Sequence, residues 1–454
     1  MDLYGPLLAK ALFPAFEAAR GRPTVQLLDY LHATQWWSLD ALRDLQLGQL
    51  RRLLRHAYAH TAHYRSAMDA SGVRPADIHS LADLCRLPLL DKATVRATMD
   101  TRLATAPPFA SITKSTSGTT GEPVVVKYNA ESRYWRDASR WRGYGWAGYR
   151  IGMRAMHYWG FGPPATSWVK RQKIAIDRAF KRDLYVDSTP RGDQALQTAV
   201  TELRRFEPQV IVAYAAGAAA LARFVVDRGL RDWPDIPVLV GAERLWPQDR
   251  AAIERAFGPA FETYGSREVM LIAAECDAHN GMHVSMETMI VELLVREGDG
   301  VRPARPGEVG EVVVTDLHNL ACPMIRYVTG DLAVAHEDTV CRCRRHLMRL
   351  GPVEGRTTET LRDGNGNPVG GLVFNILFGV LEQSAKQFQV VQRADRSIVM
   401  KVVPQSGTSL PQAHETQIRG FAAKYLPGVP FAIEYVENIP LTAAGKRKVV
   451  IVES

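Results

Sequence analysis

The chain has 454 residues, 46% of them hydrophobic and 23% charged, and its formal net charge is +8. This length exceeds one ordinary hydrophobic core and the composition is typical of a globular protein, so we expect two or more domains. No basic helix or sheet with interleaved aromatic residues stands out, which argues against nucleic acid as a partner. The positive charge indicates either a solvated basic surface or attraction of small anions.

The N-terminus and the longest apolar run bear on targeting. Lys10 interrupts a short apolar stretch and Glu17 follows it, so no secretory signal is predicted. The run from Val210 to Val226 contains Gly217 and Arg223, which favours a buried strand and helix and no membrane span. Five cysteines in a chain of this length, without a secretory signal, indicate a reducing compartment. We therefore predict a cytoplasmic protein.

The first part of the chain has a helical pattern that gives way to alternating elements. Residues 25–105 are predicted to be helical because leucines recur at helix spacing, most clearly in Ala41–Ala57. From about residue 120 onward, short apolar strands alternate with helices. The predicted elements are strands at Val210–Ala213, Pro237–Val240 and Phe261–Tyr264 and helices at Gly217–Gly229 and Pro247–Phe257. This alternation predicts an α/β sheet with helices on its faces, and ligands bind such sheets at the carboxyl ends of the strands.

A region of antiparallel character follows, with strands predicted at Met289–Val295 and Glu311–Asp316. The pattern changes again near Gly355-Arg356, where a small α+β unit begins. Its predicted elements are a hairpin of Gln387–Gln392 and Ser397–Val403, a helix at Pro411–Tyr425 and a strand at Phe431–Val436. We therefore predict a large α/β N-terminal domain at 1–355, with a helical start and layered sheets and helices, and a small mobile α+β domain at 356–454.

Residues 115–121 form an uninterrupted run of Ser, Thr and Gly that leads into the apolar strand Val124–Val126. The run consists of Ser115, Thr116, Ser117, Gly118, Thr119, Thr120 and Gly121. Glycines allow backbone N–H groups to converge on one point and small hydroxyls add donors, which is how a loop holds phosphate oxygens. A flexible linker can share this composition, but linkers are rarely followed at once by a β-branched run. The run therefore predicts a phosphate-binding loop, although the Walker motif is absent.

Three other segments complete a constellation with this loop. They are Tyr264-Gly265-Ser266-Arg267-Glu268, Arg326-Tyr327-Val328-Thr329-Gly330-Asp331-Leu332 and Pro440-Leu441-Thr442-Ala443-Ala444-Gly445-Lys446. In this order and at these separations, the set resembles the adenylate-forming ligase superfamily. Within it, the chain is most similar to the phenylacetate–CoA ligases and their capsular-polysaccharide-associated relatives. The resemblance covers most of the chain, including the helical N-terminal part.

The resemblance implies ATP-dependent activation of a carboxylic acid. Attack of a carboxylate on the α-phosphorus of ATP gives an acyl-adenylate and pyrophosphate, and AMP is then a good leaving group. The loop at 115–121 would hold the β- and γ-phosphates, and Glu268 would bind Mg²⁺, with Thr119 or Thr120 sharing that ion. Lys446 would bridge the carboxylate and α-phosphate oxygens in the transition state.

The remaining nucleotide contacts also follow from the resemblance. Asp331 would accept hydrogen bonds from the ribose hydroxyls, and Arg356 would lie near the ribose and phosphate at the domain hinge. The adenine slot is expected to comprise Gly241, Ala242, Glu243 and Tyr264, and Gly265 and Ser266 are counted with the nucleotide-binding residues. Glu268 and Asp331 taken singly are equally consistent with solvated loop carboxylates, and Lys446 with an exposed basic cluster, and it is their combination that favours a site.

The acyl acceptor and the partners follow from the same resemblance. CoA is the expected acceptor, an amine or hydroxyl is the alternative, and a non-catalytic nucleotide-binding protein on the same fold is an alternative of a different class. The segment after Arg356 lacks a legible version of the motif that many relatives carry on the CoA side, so thioester formation is less firmly predicted than adenylation. A homodimer is left open by the sequence. The segment His157–Gly162 is as consistent with an acyl pocket as with a core strand and turn.

The cysteines carry an independent pattern. Cys276 is followed by His283, and Cys341-x-Cys343 lies far downstream. One His and three Cys make a complete tetrahedral set for zinc with no open position, so such a site would be structural. Four unrelated residues remain an alternative, as does His279 in place of His283. Several members of the resembled branch carry a similar arrangement.

Overall fold

The structure is a computed structural model of the chain, which describes residues 2–106, 111–115, 124–160, 167–190, 192–298, 300–356, 361–364, 368–369, 384–405, 408–440 and 450–453. The N-terminal part is helical, as predicted, and its longest helix extends the predicted Ala41–Ala57 segment in both directions. Its α-helices are α1 (Tyr4–Leu7), α2 (Phe13–Ala19), α3 (Thr24–Thr34), α4 (Leu39–His60), α5 (Ala62–Ala70), α6 (Lys92–Ala97) and α7 (Met99–Arg102). Shorter turns of other helix types lie at Leu8–Leu12, Pro75–Asp77 and Leu81–Arg86. Ser38 caps α4 by accepting a hydrogen bond from the Ala41 amide.

A twelve-stranded sheet forms the centre of the large domain. Its strands are β3 (Ala155–Trp159), β4 (Asp183–Asp187), β5 (Val210–Tyr214), β6 (Val238–Gly241), β7 (Ala260–Ser266), β8 (Met270–Glu275), β9 (Met282–Val284), β10 (Met289–Glu297), β11 (Gly300–Pro303), β12 (Val309–Asp316), β13 (Tyr327–Ala335) and β14 (Arg349–Arg356). They run in the order β11-β10-β12-β13-β14-β9-β8-β7-β6-β5-β3-β4. Helices α8 (Ala130–Trp146), α9 (Trp168–Lys181), α10 (Asp193–Phe206), α11 (Ala215–Asp227) and α12 (Pro247–Ala256) accompany it.

The sheet changes character at β7. Strands β4, β3, β5, β6 and β7 are parallel, whereas β7 pairs with β8 in antiparallel fashion and the antiparallel pattern continues from there. The antiparallel strands, which were predicted to form a separate region, therefore belong to the same sheet as the parallel strands. Strand β7 pairs with both sets. A register shift between Tyr264 and Gly265 lies at this junction.

Of the three smaller sheets in the described part of the chain, one flanks the predicted loop and two belong to the C-terminal unit. Strands β1 (Ser111–Ser115) and β2 (Val125–Asn129) pair as an antiparallel hairpin in which Ser115 faces Val125. The C-terminal unit contains a four-stranded sheet of order β19-β18-β17-β20. Its elements are β15 (Leu361–Arg362), β16 (Pro368–Val369), β17 (Ala385–Gln392), β18 (Ile398–Pro404), α13 (Gln412–Tyr425), β19 (Phe431–Tyr435) and β20 (Val450–Val452). The predicted β17–β18 hairpin is confirmed.

Each unit has its own buried core, as expected of a chain that packs as more than one domain. One core packs β3, β5 and β6 against α10, α11 and α12, and another covers the antiparallel strands β8 to β14. The C-terminal core includes Phe388, Val390 and Ile418, and Trp246 of the large domain packs against its edge. Among the described residues, no helix combines the length and hydrophobicity needed to cross a bilayer. The mixed α/β prediction is confirmed.

Candidate functional site

The carboxyl ends of the parallel strands meet at one edge of the large sheet. Trp159 ends β3, Tyr214 ends β5 and Gly241 ends β6, while Tyr264 lies two residues before the end of β7. Three of the four predicted segments lie at this edge or beside it, as far as the structure describes them. This is the part of an open α/β sheet where ligands bind.

Tyr264 and Asp331 form the centre of the arrangement. The hydroxyl of Tyr264 donates to Oδ2 of Asp331 at 2.9 Å and lies 3.5 Å from the hydroxyl of Thr329. Tyr264 is buried, and burial together with the Asp331 carboxylate raises the pKa of its phenol. The phenol therefore stays protonated and acts as a donor, which fixes the Asp331 carboxylate and leaves its remaining lone pairs for other donors.

Glu268 is oriented by a second tyrosine. The hydroxyl of Tyr327 donates to Oε1 of Glu268 at 3.0 Å, and both side chains are buried. A Cβ on Gly265 would lie 2.2 Å from the carbonyl oxygen of Met270, so only glycine allows the β7–β8 turn to close tightly. This turn brings Glu268 back toward β13.

Strand β13 supplies these contacts from one face. Tyr327, Thr329 and Asp331 alternate along the strand, and side chains at alternate positions point to the same side. Tyr327 reaches Glu268, and Thr329 and Asp331 reach Tyr264. Thr329 also donates to the Val312 carbonyl and accepts from the Asp331 amide. The strand therefore positions the two acidic residues relative to each other.

The predicted phosphate loop is described only at its base. The side chains of Ser115 and Arg356 and the whole of residues 116–121 and Lys446 lie outside the described residues. The strand that follows the loop is placed, because Val124 and Val126 pack against Tyr327 in one buried cluster. On the preceding strand, Nζ of Lys114 lies 3.5 Å from Sδ of Met270. The hairpin that carries the loop is thus anchored beside Tyr327 and the β7–β8 turn.

The loop after β6 shows a constrained backbone. Ala242 has φ of 66°, in the left-handed region that non-glycine residues rarely adopt. The carboxylate of Glu243 accepts a hydrogen bond of 3.0 Å from the Ala216 amide at the start of α11. Gly241 packs closely on Thr263, where an added Cβ would lie 2.7 Å from the threonine hydroxyl. Glu243 therefore has a structural contact in addition to its predicted place in the adenine slot.

An ion pair links the same loop to the strand before the hinge. Arg244 contacts the carboxylate of Glu354, and both side chains are largely buried. The Arg244 guanidinium also lies over the ring of Trp246 at 4.1 Å. Since Trp246 packs against the C-terminal core, these residues connect the β6 loop with both sides of the predicted domain boundary. Sequence reasoning did not identify this connection.

The aromatic segment His157–Gly162 divides into two parts. Trp159 lies at the edge described above, with its ring centroid 4.1 Å from that of Tyr214. His157 instead stacks on Tyr185 at 4.4 Å and pairs with Asp183, deeper along the strands. Phe161 and Gly162 are outside the described residues. Of the described part, Trp159 is the residue that lies at the carboxyl-terminal end of its strand, beside Tyr214.

The predicted metal ligands come together. The ligand atoms of Cys276, His283, Cys341 and Cys343 all lie within 4.8 Å of one another, and the first three residues are buried. The sulfurs of Cys276 and Cys341 are 3.9 Å apart, and Sγ of Cys343 is 3.2 Å from Nε2 of His283. Tetrahedral zinc with Zn–S distances of about 2.3 Å would separate two sulfurs by about 3.8 Å, so the donor set fits this ion.

The surrounding backbone supports the same arrangement. The Cys276 carbonyl accepts a hydrogen bond from the His279 amide, and the Cys341 carbonyl accepts one from the Arg344 amide. Both closing residues have positive φ, 47° for His279 and 67° for Arg344. This left-handed backbone is uncommon for residues other than glycine. Two similar turns therefore present the cysteines.

The structure distinguishes the two candidate histidines. Nε2 of His283 faces the sulfurs while its Nδ1 lies 3.4 Å from the Leu347 carbonyl, an arrangement that orients a metal-ligating imidazole. His279 instead lies 3.0 Å from Glu275 and stays outside the cluster. A hydrogen bond from the Cys276 thiol lowers the pKa of the Cys343 thiol.

Comparison with known proteins yields relatives for both domains. Residues 361–453 match the family described as the CapK C-terminal domain. The phenylacetate–coenzyme A ligase of Thermus thermophilus is 28% identical over 329 residues, covering 71% of this chain and 72% of that enzyme. Protein CapK of Staphylococcus aureus is 22% identical over 383 residues, covering 82% of this chain and 81% of that protein.

Among solved structures, a 2-hydroxyisobutyryl-CoA ligase in the postadenylation state superposes with a TM-score of 0.73 at 17% identity, covering 93% of this chain and 92% of that one. The fold is thus that of adenylate-forming ligases. The resemblance to the phenylacetate–CoA ligase and CapK branch, made from the four segments, is confirmed.

Proposed function

We propose that this chain, which resembles the phenylacetate–CoA ligases in sequence and has the fold of the adenylate-forming ligases, activates a carboxylic acid with ATP and transfers the acyl group to CoA. The observation that carries the proposal is the hydrogen-bonded set of buried Tyr264, Tyr327 and Glu268 with half-buried Asp331 at the ligand-binding edge. It holds two carboxylates in fixed orientations beside the base of the phosphate loop. Relatives whose names specify acid–CoA ligation support the reaction.

The described residues contribute binding and orientation. Asp331, fixed by the Tyr264 phenol, accepts hydrogen bonds from the ribose hydroxyls. The loop after β6, from Gly241 to Glu243, lies against the adenine ring. Gly265 and Ser266 close the turn that presents Glu268. Glu268, fixed by the Tyr327 hydroxyl, supplies a carboxylate oxygen of the kind that Mg²⁺ prefers. When bound, Mg²⁺ neutralises charge on the triphosphate and so favours in-line attack by the substrate carboxylate.

Residues 116–121 and Lys446, with the side chains of Ser115 and Arg356, complete the proposed site outside the described part of the structure. The loop 115–121 would bind the β- and γ-phosphates, with Thr119 or Thr120 near the metal, and Arg356 would contact the ribose. Lys446 neutralises charge that develops between the carboxylate and the α-phosphate. After adenylation, the domain at 356–454 rotates about the hinge, withdraws Lys446 and admits the acceptor. We place the acyl group beside Trp159 and Tyr214 at the end of β3 and β5.

The cysteine–histidine cluster is proposed as a structural zinc site. Four protein ligands fill a tetrahedral coordination sphere, so the ion would crosslink β9 and the loop before β14 without taking part in the reaction. The cytoplasmic location stays a prediction of the sequence, and a homodimeric assembly stays open.

A product analysis tests the function. The protein is incubated with ATP, Mg²⁺ and a panel of aryl and aliphatic acids, with and without CoA, and products are identified by mass spectrometry. The proposal expects AMP and an acyl-CoA with at least one acid, and an acyl-adenylate when CoA is left out. If the acyl-adenylate reacts with an amine or alcohol but not with CoA, the acceptor is that amine or alcohol and not CoA. Absence of AMP with every acid would favour the non-catalytic alternative.

A further inference from the structure

Helix α9 is exposed from Trp168 to Asp177, which is unusual for a helix with so many apolar residues. None of the residues in Trp168–Lys181 is buried. Trp168 is 65% exposed, Val169 is 56% exposed, Ile176 is 68% exposed and Ile174 is 37% exposed. Scattered exposed apolar residues need no explanation, but four large ones on one helix form a feature that does.

Most apolar residues of α9 share a face that points away from the protein, whereas Ile174 lies on the opposite side and Phe180 packs against Phe16. Helix periodicity places Trp168, Val169, Ala175, Ile176 and Ala179 on one side. The opposite side contacts the body of the domain through Arg178, whose guanidinium lies 4.1 Å from the ring centroid of Tyr185 in β4. The helix is thus amphipathic with its apolar side in contact with solvent.

Cations lie at both borders of this apolar face. Lys173 follows one border and Arg171 the other, and Lys170 lies farther round the polar side. All of these residues are exposed. Long basic side chains beside an apolar stripe can extend toward anionic headgroups while the stripe enters the acyl boundary, and Trp is favoured at that depth. Asp177 is the only acidic residue in the helix.

The adjoining N-terminal helix extends the exposed apolar surface. The hydroxyl of Tyr4 donates to the Phe180 carbonyl at 3.1 Å, and Phe180 lies 5.3 Å from the ring of Phe16. Leu3 is 76% exposed and Leu7 is 51% exposed beside this contact. The end of α9 is therefore held against a second element that also presents leucines to solvent.

We propose that the apolar face of α9, defined by Trp168, Val169 and Ile176, docks on the surface of an anionic lipid bilayer. A helix of this length is about 20 Å long, and its apolar stripe covers on the order of 300 Å². That is well below the roughly 800 Å² per partner of a stable protein interface, whereas shallow insertion into a membrane needs no partner surface of its own. The flanking cations complement anionic headgroups.

Co-sedimentation with lipid vesicles tests this proposal on the full chain. The vesicles contain either phosphatidylcholine alone or equal parts of phosphatidylcholine and phosphatidylglycerol. Binding is expected to the anionic vesicles, at least about tenfold tighter than to the neutral ones, and to weaken as ionic strength rises. In the bound state, Trp fluorescence should shift to shorter wavelength, and Trp168→Phe should remove that shift.

Two variants separate the apolar and the charged contributions. Trp168→Ser with Ile176→Ser should abolish binding, and Lys170→Gln with Lys173→Gln should weaken it by about fivefold for each cation removed. The matched controls are Val226→Ser with Val301→Ser and Arg55→Gln with Lys386→Gln, which change exposed residues elsewhere and should leave binding unaltered. Circular dichroism and melting temperature verify that each variant is folded.

Three outcomes would overturn the proposal. They are equal binding to both vesicle types, no binding to either, and binding that the α9 variants retain. A further result would be a wild type with twice the molar mass of one chain in solution, and Trp168→Ser with Ile176→Ser with the mass of a single chain. That result would also overturn the proposal and would assign the face to a second copy of the chain.

Discussion

The hydroxyl of Tyr264 lies 2.9 Å from Oδ2 of Asp331, although 67 residues separate them in sequence. The contact joins the end of the parallel strand β7 to β13, in the antiparallel half of the same sheet. Because the phenol is held protonated, it acts as a fixed donor that leaves the carboxylate oriented for further hydrogen bonds. This pair links the fold to the proposed ribose contact.

Tyr264→Phe should weaken ATP binding by about tenfold, the loss expected when a hydrogen bond to a charged group is removed. The ring still fills its buried position, so the melting temperature without nucleotide should change little. Isothermal titration with ATP measures the effect without knowledge of the acid. Tyr435→Phe is the matched control, because Tyr435 donates to Glu415 at 3.2 Å in the C-terminal unit. Equal losses of ATP affinity in the two variants would contradict the assignment of Tyr264 to the nucleotide site.

Glu268→Gln should abolish the additional stabilisation that Mg²⁺ gives to the ATP complex. A carboxamide keeps the size of the side chain and can still accept from Tyr327, but it lacks the charge that a hard cation requires. Thermal shift with ATP, in the presence of Mg²⁺ or of a chelator, provides the measurement. Glu311→Gln, on β12, serves as control. A full Mg²⁺ effect in Glu268→Gln would contradict its assignment.

Purified protein should contain about one zinc ion per chain by elemental analysis. Cys341→Ser with Cys343→Ser should lose the metal and lower the melting temperature, and His283→Ala should do the same. His279→Ala and Cys322→Ser are controls, since His279 lies outside the cluster and Cys322 is a buried cysteine elsewhere. Zinc loss in His279→Ala but not in His283→Ala would reverse the ligand assignment, and a stable metal-free protein would remove the site.

Glu262 should make stability depend on pH. Burial, and next the nearby Glu275 carboxylate, raise the pKa of Glu262 from 4.5 to about 7. A carboxyl with a raised pKa in the folded state binds its proton more tightly there than in the unfolded chain. Its contribution to the free energy of unfolding is therefore complete below about pH 4.5 and is lost as the pH rises through about 7.

Replacing Glu262 by Gln removes this loss. The melting temperature of Glu262→Gln should match the wild type in acid and exceed it by a few degrees above neutral pH, at about 2–4 °C per kcal/mol for a large domain. Glu254→Gln is the control because Glu254 is an exposed carboxylate that pairs with Arg250, the arginine that also pairs with Glu275. Melting curves across this pH range that run parallel for wild type and Glu262→Gln would refute the prediction.

Local patterns in the sequence identify much of this site. The alternation of strands and helices predicts the edge at which Gly241 and Tyr264 lie, and the cysteine pattern predicts a ligand set that the structure brings together. These inferences succeed because each depends on residues near one another in the chain or on a donor set with few chemical uses. The continuity of the sheet through β7 was not foreseen, since strand order depends on pairing between distant segments.

The roles of Tyr327 and Arg244 were also missed for a physical reason. Tyr327 lies two positions from Thr329 and four from Asp331, a spacing that becomes informative only once β13 is known to be a strand. Its partner Glu268 is 59 residues away. The ion pair of Arg244 and Glu354 spans 110 residues, and nothing local in either segment specifies it.

Acid-dependent exchange of labelled pyrophosphate into ATP tests the central claim most directly, because it reports adenylation before any acceptor is used. With an acid found in the product analysis, the wild type should exchange, and Lys446→Ala should lose at least about two orders of magnitude while still transferring the acyl group from a supplied acyl-adenylate. Lys448→Ala, from the same basic segment, should exchange normally. Acyl-CoA formation without any exchange, or equal loss of both steps in Lys446→Ala, would contradict a two-step adenylating enzyme with this lysine in its first step.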